Sequence, residues 1–178
     1  VAPKMVYAIE PNYKDLIPPM QLRRMSKPIR LSIAAVKSML LGHDTSQLGA
    51  INVGTALGLL SDSESFLSQM VKQEEQMLTP TYFIQSTQNT IGGQIALLLQ
   101  SKAHNMTFSQ RGHSFEHALL DIDLMEDEES EFIVGGVDEM TAHYYIILNK
   151  LMWSRQRTQK DIDLGEGAAY FMMSKHKQ

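Results

Sequence analysis

The sequence has no cysteine. Disulfides, thiolate metal sites and a cysteine nucleophile are excluded together, because each needs a sulfur that ionises or cross-links. Long apolar runs are missing too. The longest, around Leu97 and Ile146, fall far short of the roughly 20 residues needed to span a bilayer. The opening "VAPKMVYAIEP" has no signal-peptide pattern, so a cytoplasmic location is expected and no membrane partner. A large excess of charge of one sign is also lacking. The net charge is -4, and no basic stripe is interleaved with aromatic residues. The counterion release that drives nucleic-acid binding therefore has no source, and nucleic acid is set aside as a partner.

What is present suits one folded core. The chain has 178 residues, 43% hydrophobic and 20% charged, a globular composition that predicts a single domain over residues 1–178. Twelve methionines read as adaptable core filling. In residues 18–41, Leu22, Met25, Ile29, Ile33, Val36 and Leu40 fall at helical spacing, with Pro28 bending that helix or marking its start. "GAINVGTALG" (49–58) reads as a buried strand entering a glycine-punctuated turn. A polar helix follows, with Phe66, Met70 and Met77 on its apolar side and Pro80 as its terminator. Residues 83–101 predict a helix with Ile84, Ile91, Ile95 and Leu98 on one stripe, and Gly92 and Gly93 where another backbone approaches. "NMTFS" (105–109) is a strand, 114–125 a helix, 132–140 a strand ended by Gly135 and Gly136, and 166–175 a closing strand. Strands alternate with helices, which predicts an α/β fold with a largely parallel sheet.

Chemistry concentrates in "QRGHSFEH", where a strand turns into a helix. Such corners present a reactive side chain beside the first helical N-H groups. Here the residue at the corner is Gly112. "HSFEH" matches the H-x-x-E-H string of inverted zinc peptidases, with His113 and His117 as ligands and Glu116 activating water. That reading needs a third ligand, a carboxylate from elsewhere, for which Glu166 is the candidate. The plain alternative makes the two histidines a capping residue and a half-buried helix residue. "GHSFE" also approaches the G-x-S-x-G nucleophile elbow, with Ser114 as nucleophile, but Glu116 stands where that turn needs glycine. Ser114 reads more simply as a helix N-cap. Glu166 in "GEGAA" reads as a turn-fixing carboxylate. Trp153 and the arginines of "RQR" (155–157) read as a surface loop. No cofactor and no resident metal is expected.

The order of segments resembles the N-terminal half of a β-ketoacyl synthase. "RRMSKPIRLSIAAVKSML" is similar to the helix after that family's first strand, and "INVGTALG" to the glycine-rich strand that follows. "QSTQNTIGGQIALLLQSKAHNMTFS" is similar to its asparagine-containing helix and the strand leading to the nucleophile. "VGGVDEMT" and "LGEGAAYFMMSK" resemble its glycine-pair strand and its G-E-G-A strand. The resemblance implies a thiolase-like half, with layered helices around a largely parallel mixed sheet. Setting the family's T-A-C-S-S-G-L-H-A-L segment on "QRGHSFEHAL" aligns His117, Ala118 and Leu119 with its last three residues, and Gly112 with the cysteine. The resemblance then implies no condensing activity from this chain alone. A remnant pocket of Arg111, Gly112, His113 and His117 remains. It implies a homodimer or a heterodimer with a complete ketosynthase, contact with an acyl carrier protein, and an accessory role like that of a chain-length factor. The family's acyltransferase pathways, fatty-acid or polyketide synthesis including aryl polyenes, are the implied setting.

Overall fold

A parallel strand covered on both faces cannot alternate apolar with polar residues, and the two central strands here do not. β2 (Leu48–Gly54) and β4 (Glu131–Asp138) run parallel at the middle of a four-stranded sheet. β3 (His104–Phe108) extends it in parallel beside β2, and β6 (Gly167–Ser174) closes the other edge antiparallel to β4. The computed structural model describes residues 5–76, 78, 80–126, 130–154 and 164–175. The expected α/β fold with a largely parallel mixed sheet is present.

The pleat sorts these strands between two layers. Ile51, Val53 and Ile133 point toward α2 (Lys27–Met39) and α5 (Thr90–Leu99), where they meet Ile29, Ile33, Val36, Ile91 and Ile95 in the main core. Ala50, Phe132 and Val134 point the other way, against Ala118 and Ile122 of α6 (Ser114–Leu124). Each such aliphatic side chain contributes about 1.5–3 kcal/mol by leaving water. One polar group shares the α6 face: Asn52 is fully buried and donates to the Ala118 carbonyl at 3.0 Å and to Asp121 at 2.9 Å.

Several local expectations change. Pro28 marks a start rather than a bend: a short α1 (Pro19–Leu22) precedes α2, and Pro28 sits in the first turn of α2, where no N-H is missed. Pro80 likewise begins a helix instead of ending one. α3 (Leu60–Lys72) stops earlier, and α4 (Pro80–Ser86) starts at the proline. The helix expected over residues 83–101 is broken between α4 and α5, where the Ser86 and Thr87 hydroxyls turn back onto the Phe83 and Ile84 carbonyls at 2.8 Å. Ile84 is exposed as a result, while Ile91 and Ile95 are buried.

Gly135 and Gly136 do not end β4; the strand runs through them to Asp138. Gly135 pairs with Tyr170, and a Cβ there would lie 2.2 Å from the tyrosine ring, so the glycine makes room for an aromatic plate on the neighbouring strand. α7 (Ala142–Ser154) carries "YYIILNKLM" and leaves Ile146, Ile147 and Leu151 exposed. β1 (Met5–Val6) and β5 (Leu164–Gly165) form a separate parallel pair. Met77, Arg155, Arg157 and His176 lie outside the described residues. Among the described residues no helix is long and apolar enough to cross a membrane.

Candidate functional site

The corner between β3 and α6 is a 3-10 turn over Arg111–His113. Its left-handed residue is Arg111, with φ +55°. For a residue with a Cβ that conformation costs about 1–2 kcal/mol. Gly112, the next residue, carries no such φ, and a Cβ added to it would meet nothing within 4 Å. The arginine therefore bears the turn's strain, and the glycine leaves open space beside it.

Two contacts hold the corner in place. Ser114 is buried; its hydroxyl accepts the Gln110 N-H at 2.8 Å and lies 2.9 Å from the Thr55 carbonyl and 2.8 Å from that of Arg111, to one of which it donates. The N-cap position of α6 belongs to His113, and Ser114 is the first helical residue, a staple between the turn and β2 rather than the expected cap. Gly54 ends β2 directly under that first turn. A Cβ on it would come within 2.8 Å of the Phe115 nitrogen and the Ser114 carbonyl carbon. Only glycine permits this approach of strand to helix.

Above the C-terminal ends of β2 and β4 the corner opens onto a cleft of about 520 Å³, lined by 54–56, 136–138, 167–169, Arg111, Gly112, Ser114 and Phe115. The chain leaves β2 toward β3 on one side and then crosses to β4 on the other, so the cleft sits where an open α/β sheet changes direction, a common ligand position. Arg111 and Gly112 line it. His113 and His117, expected beside them, do not. His113 is exposed, and His117 is half-buried with Nδ1 lacking a hydrogen-bond partner among the described residues.

Carboxylates that sequence reading passed over organise the surroundings. Asp138 accepts the Thr55 hydroxyl at 3.0 Å and the Ala56 N-H at 2.8 Å; burial nonetheless pushes its carboxyl above the usual range. Glu139 accepts the Ser61 N-H at 2.9 Å and so supports the start of α3 from another element, with burial again raising its carboxyl. Asp62 is raised for the same reason. The one hint in the sequence was the acid pair directly after "VGGV", at the end of a buried strand.

Glu166 is turn-fixing, as expected. Its carboxylate pairs with Lys27, accepts the Ala8 N-H at 3.1 Å and approaches the Met140 N-H at 3.5 Å. Burial alone would lower the Lys27 ammonium, but the Glu166 carboxylate and the more distant Glu10 outweigh it and raise it. Held this way, Glu166 is not free to join His113 and His117, and among the described residues no three His, Asp or Glu side chains converge as metal ligands. Glu116 points out from α6 into solvent. Ser114 is no better placed as a nucleophile, because its proton serves a backbone carbonyl and no imidazole is among its partners.

Comparison with known proteins agrees with this fold. Residues 2–154 match the family described as "Beta-ketoacyl synthase, N-terminal domain". No curated protein matches the sequence. Among solved structures, a ketosynthase in complex with its chain length factor from Xenorhabdus doucetiae superposes with a TM-score of 0.70 at 19% identity, covering 90% of this chain and 62% of that one. A type II polyketide-synthase acyl-carrier protein in complex with its hexaketide-bound ketosynthase gives a TM-score of 0.79 at 17% identity, covering 96% and 53%. The ishigamide ketosynthase/chain length factor gives 0.70 at 19%, covering 93% and 48%. At these identities the likeness is one of fold, and the chain spans only about half to three-fifths of each protein it resembles.

Proposed function

This chain belongs to the β-ketoacyl synthase N-terminal-domain family, and on that premise we propose that it is a non-condensing accessory subunit, similar in role to a chain-length factor, in fatty-acid or polyketide synthesis, with aryl-polyene synthesis as one such setting. The observation that carries this reading is the corner itself. A strand, a strained turn and a helix are arranged as for a nucleophile, yet Arg111 and Gly112 occupy the turn and the chain has no cysteine. Arginine does not form a thioester and glycine has no side chain, so acyl transfer through a covalent enzyme intermediate has no starting point here.

A protein that keeps the scaffold without the nucleophile acts through its surface. Here the single domain of residues 1–178 pairs with a second copy or with a complete ketosynthase and shapes the space available to the growing acyl chain, with an acyl carrier protein as a further contact. The structural relatives support this in part: two are described as a ketosynthase with a chain length factor, and one as a ketosynthase with an acyl-carrier protein. The pairing element is β3, an edge strand whose outer side is unpaired among the described residues.

The test is the native mass of the purified protein, alone and mixed with a complete ketosynthase from the same source, together with the acyl products the mixture makes. A mixed complex whose product length differs from that of the ketosynthase alone supports the accessory role. A monomer that neither binds the ketosynthase nor changes its products overturns it. Bound zinc in the same sample would instead return attention to His113 and His117.

A further inference from the structure

The sheet has another cleft at its opposite end, by the N-terminal ends of β2, β3 and β4, and it shares no lining residue with the one at the corner. It measures about 490 Å³. Three ionisable side chains line it: His104 at the start of β3, Asp121 on α6 and Glu126 just past the end of that helix. Leu124, Met125 and Phe132 give it an apolar wall.

Asp121 is set in place from inside the protein. Asn52, fully buried in the middle of β2, donates its amide to the Ala118 carbonyl and to Oδ2 of Asp121, while its own Oδ1 has no hydrogen-bond partner among the described residues. An unpaired buried acceptor is costly, and an aliphatic side chain in the same place would avoid that cost. What the asparagine supplies in return is a fixed carboxylate. His104 Nε2 lies 3.2 Å from the same Oδ2. Both contacts fall on one oxygen, and Oδ1 of Asp121 accepts no hydrogen bond among the described residues. The side chain is partly exposed, so this second oxygen is held still and open to a ligand.

The surrounding groups select the sign of that ligand. The Lys175 ammonium donates to the carbonyls of Asp123 and Met125 at the C-terminal end of α6 and stands 5.9 Å from the centre of the Phe132 ring. One wall of the cleft thus already holds an alkylammonium, supplied by the chain itself. Lys175 is spent on backbone carbonyls, and among the described residues neither Asp121 nor Glu126 forms an ion pair with a lysine or arginine. Two carboxylates beside an apolar wall are complementary to a second cation carried on a hydrocarbon stem. A metal ion is less well served, because no three His, Asp or Glu side chains converge among the described residues. An anion would meet like charge.

We propose that this cleft binds a primary organic ammonium on an apolar stem. Oδ1 of Asp121 and the Glu126 carboxylate take its N-H donors, and the stem lies along Leu124, Met125 and Phe132. The site does not rest on the accessory-subunit reading. An amine can bind here whether or not a ketosynthase binds elsewhere.

The experiment is calorimetric titration of the purified chain with hexylamine, hexanol and hexanoate, repeated on Asp121→Asn, Glu126→Gln and His104→Lys. Hexylamine is expected to bind at one site per chain, more tightly than hexanol, and hexanoate is expected not to compete. Losing a charge-assisted pair in Asp121→Asn should weaken hexylamine by about tenfold or more. Glu126→Gln should weaken it less, because that carboxylate is exposed. His104→Lys keeps both carboxylates and sets a permanent cation beside Asp121, so hexylamine binding should be lost at an unchanged melting temperature. His104 is itself exposed, and this variant decides the matter even where Asp121→Asn disturbs the fold. Nα-acetyl-lysine amide carries the same head on an alkyl stem, and the tighter of it and hexylamine tells a protein's lysine from a free amine as the source. Hexanol binding as tightly as hexylamine, hexanoate displacing it, or hexylamine affinity unchanged in His104→Lys would each overturn the assignment.

Discussion

At the scale of single residues, the glycine that matters most is not the one at the corner. Gly112 has open space around it, whereas Gly54 lies in direct contact with the backbone of α6. The atoms a Cβ would strike there are the Phe115 nitrogen and Cα and the Ser114 carbonyl carbon, none of which swings aside as a side-chain tip would. Gly54→Ala is therefore expected to cost about 1–3 kcal/mol through overpacking, and Gly112→Ala to cost far less; denaturant melts of the two variants make the comparison, and equal losses would refute it. The buried acids give a second residue-scale prediction. Burial makes the folded-state carboxyls of Asp62, Asp138 and Glu139 hold their protons to higher pH than the same groups in the unfolded chain. Between the two values the folded state binds more protons, so stability falls as pH rises through that window and grows on acidification. Asp138→Asn removes one of these groups, and its melting temperature should gain less than the parent's as pH falls from neutrality toward the ordinary carboxylate range. An unchanged pH slope would mean that Asp138 titrates normally.

At the scale of elements, the sequence was legible wherever one period ruled a long segment. The unbroken apolar runs of β2 and β4 and the three-four spacing of α2 each had one physical explanation, and each element is present. Misreadings came where a residue has two structural uses. Proline both stops a helix and starts one, so Pro80 was assigned to the wrong side of its boundary. A glycine pair both ends a strand and clears room within one, and only the position of Tyr170 on the next strand decides between these uses. The candidate site was half visible for the same reason. The turn between β3 and α6 could be located from local pattern, as could Arg111 and Gly112. That His113 and His117 lie off the cleft, and that Asp138 lines it, depends on contacts across more than one strand, which no window of sequence contains.

At the scale of the whole molecule, apolar surface remains uncovered in several places. Leu120 and Leu124 on α6, Phe171 on β6 and the outer side of α7 are all exposed. Surfaces of this kind are covered by partners more often than left in water. β3 is the edge on which the proposed pairing turns, and Met106, 42% exposed, is the apolar side chain at its middle. A lysine on an edge strand opposes the addition of another strand. Met106→Lys is accordingly expected to shift the native mass toward the monomer with an unchanged circular dichroism spectrum; an assembly of undiminished mass would exclude β3 as the pairing edge.

The tie between Glu166 and the start of the chain has a temporal meaning. The Ala8 N-H and the Glu166 carboxylate are separated by 158 residues in sequence, and beside them β1 pairs with β5 through only two registered positions. A contact spanning nearly the whole chain cannot help to organise its collapse, because the entropy of closing so long a loop is recovered only after the sheet between has formed. The β1-β5 patch, registered at only two positions, is thus expected to form late and to open early, as a latch on the sheet beside it.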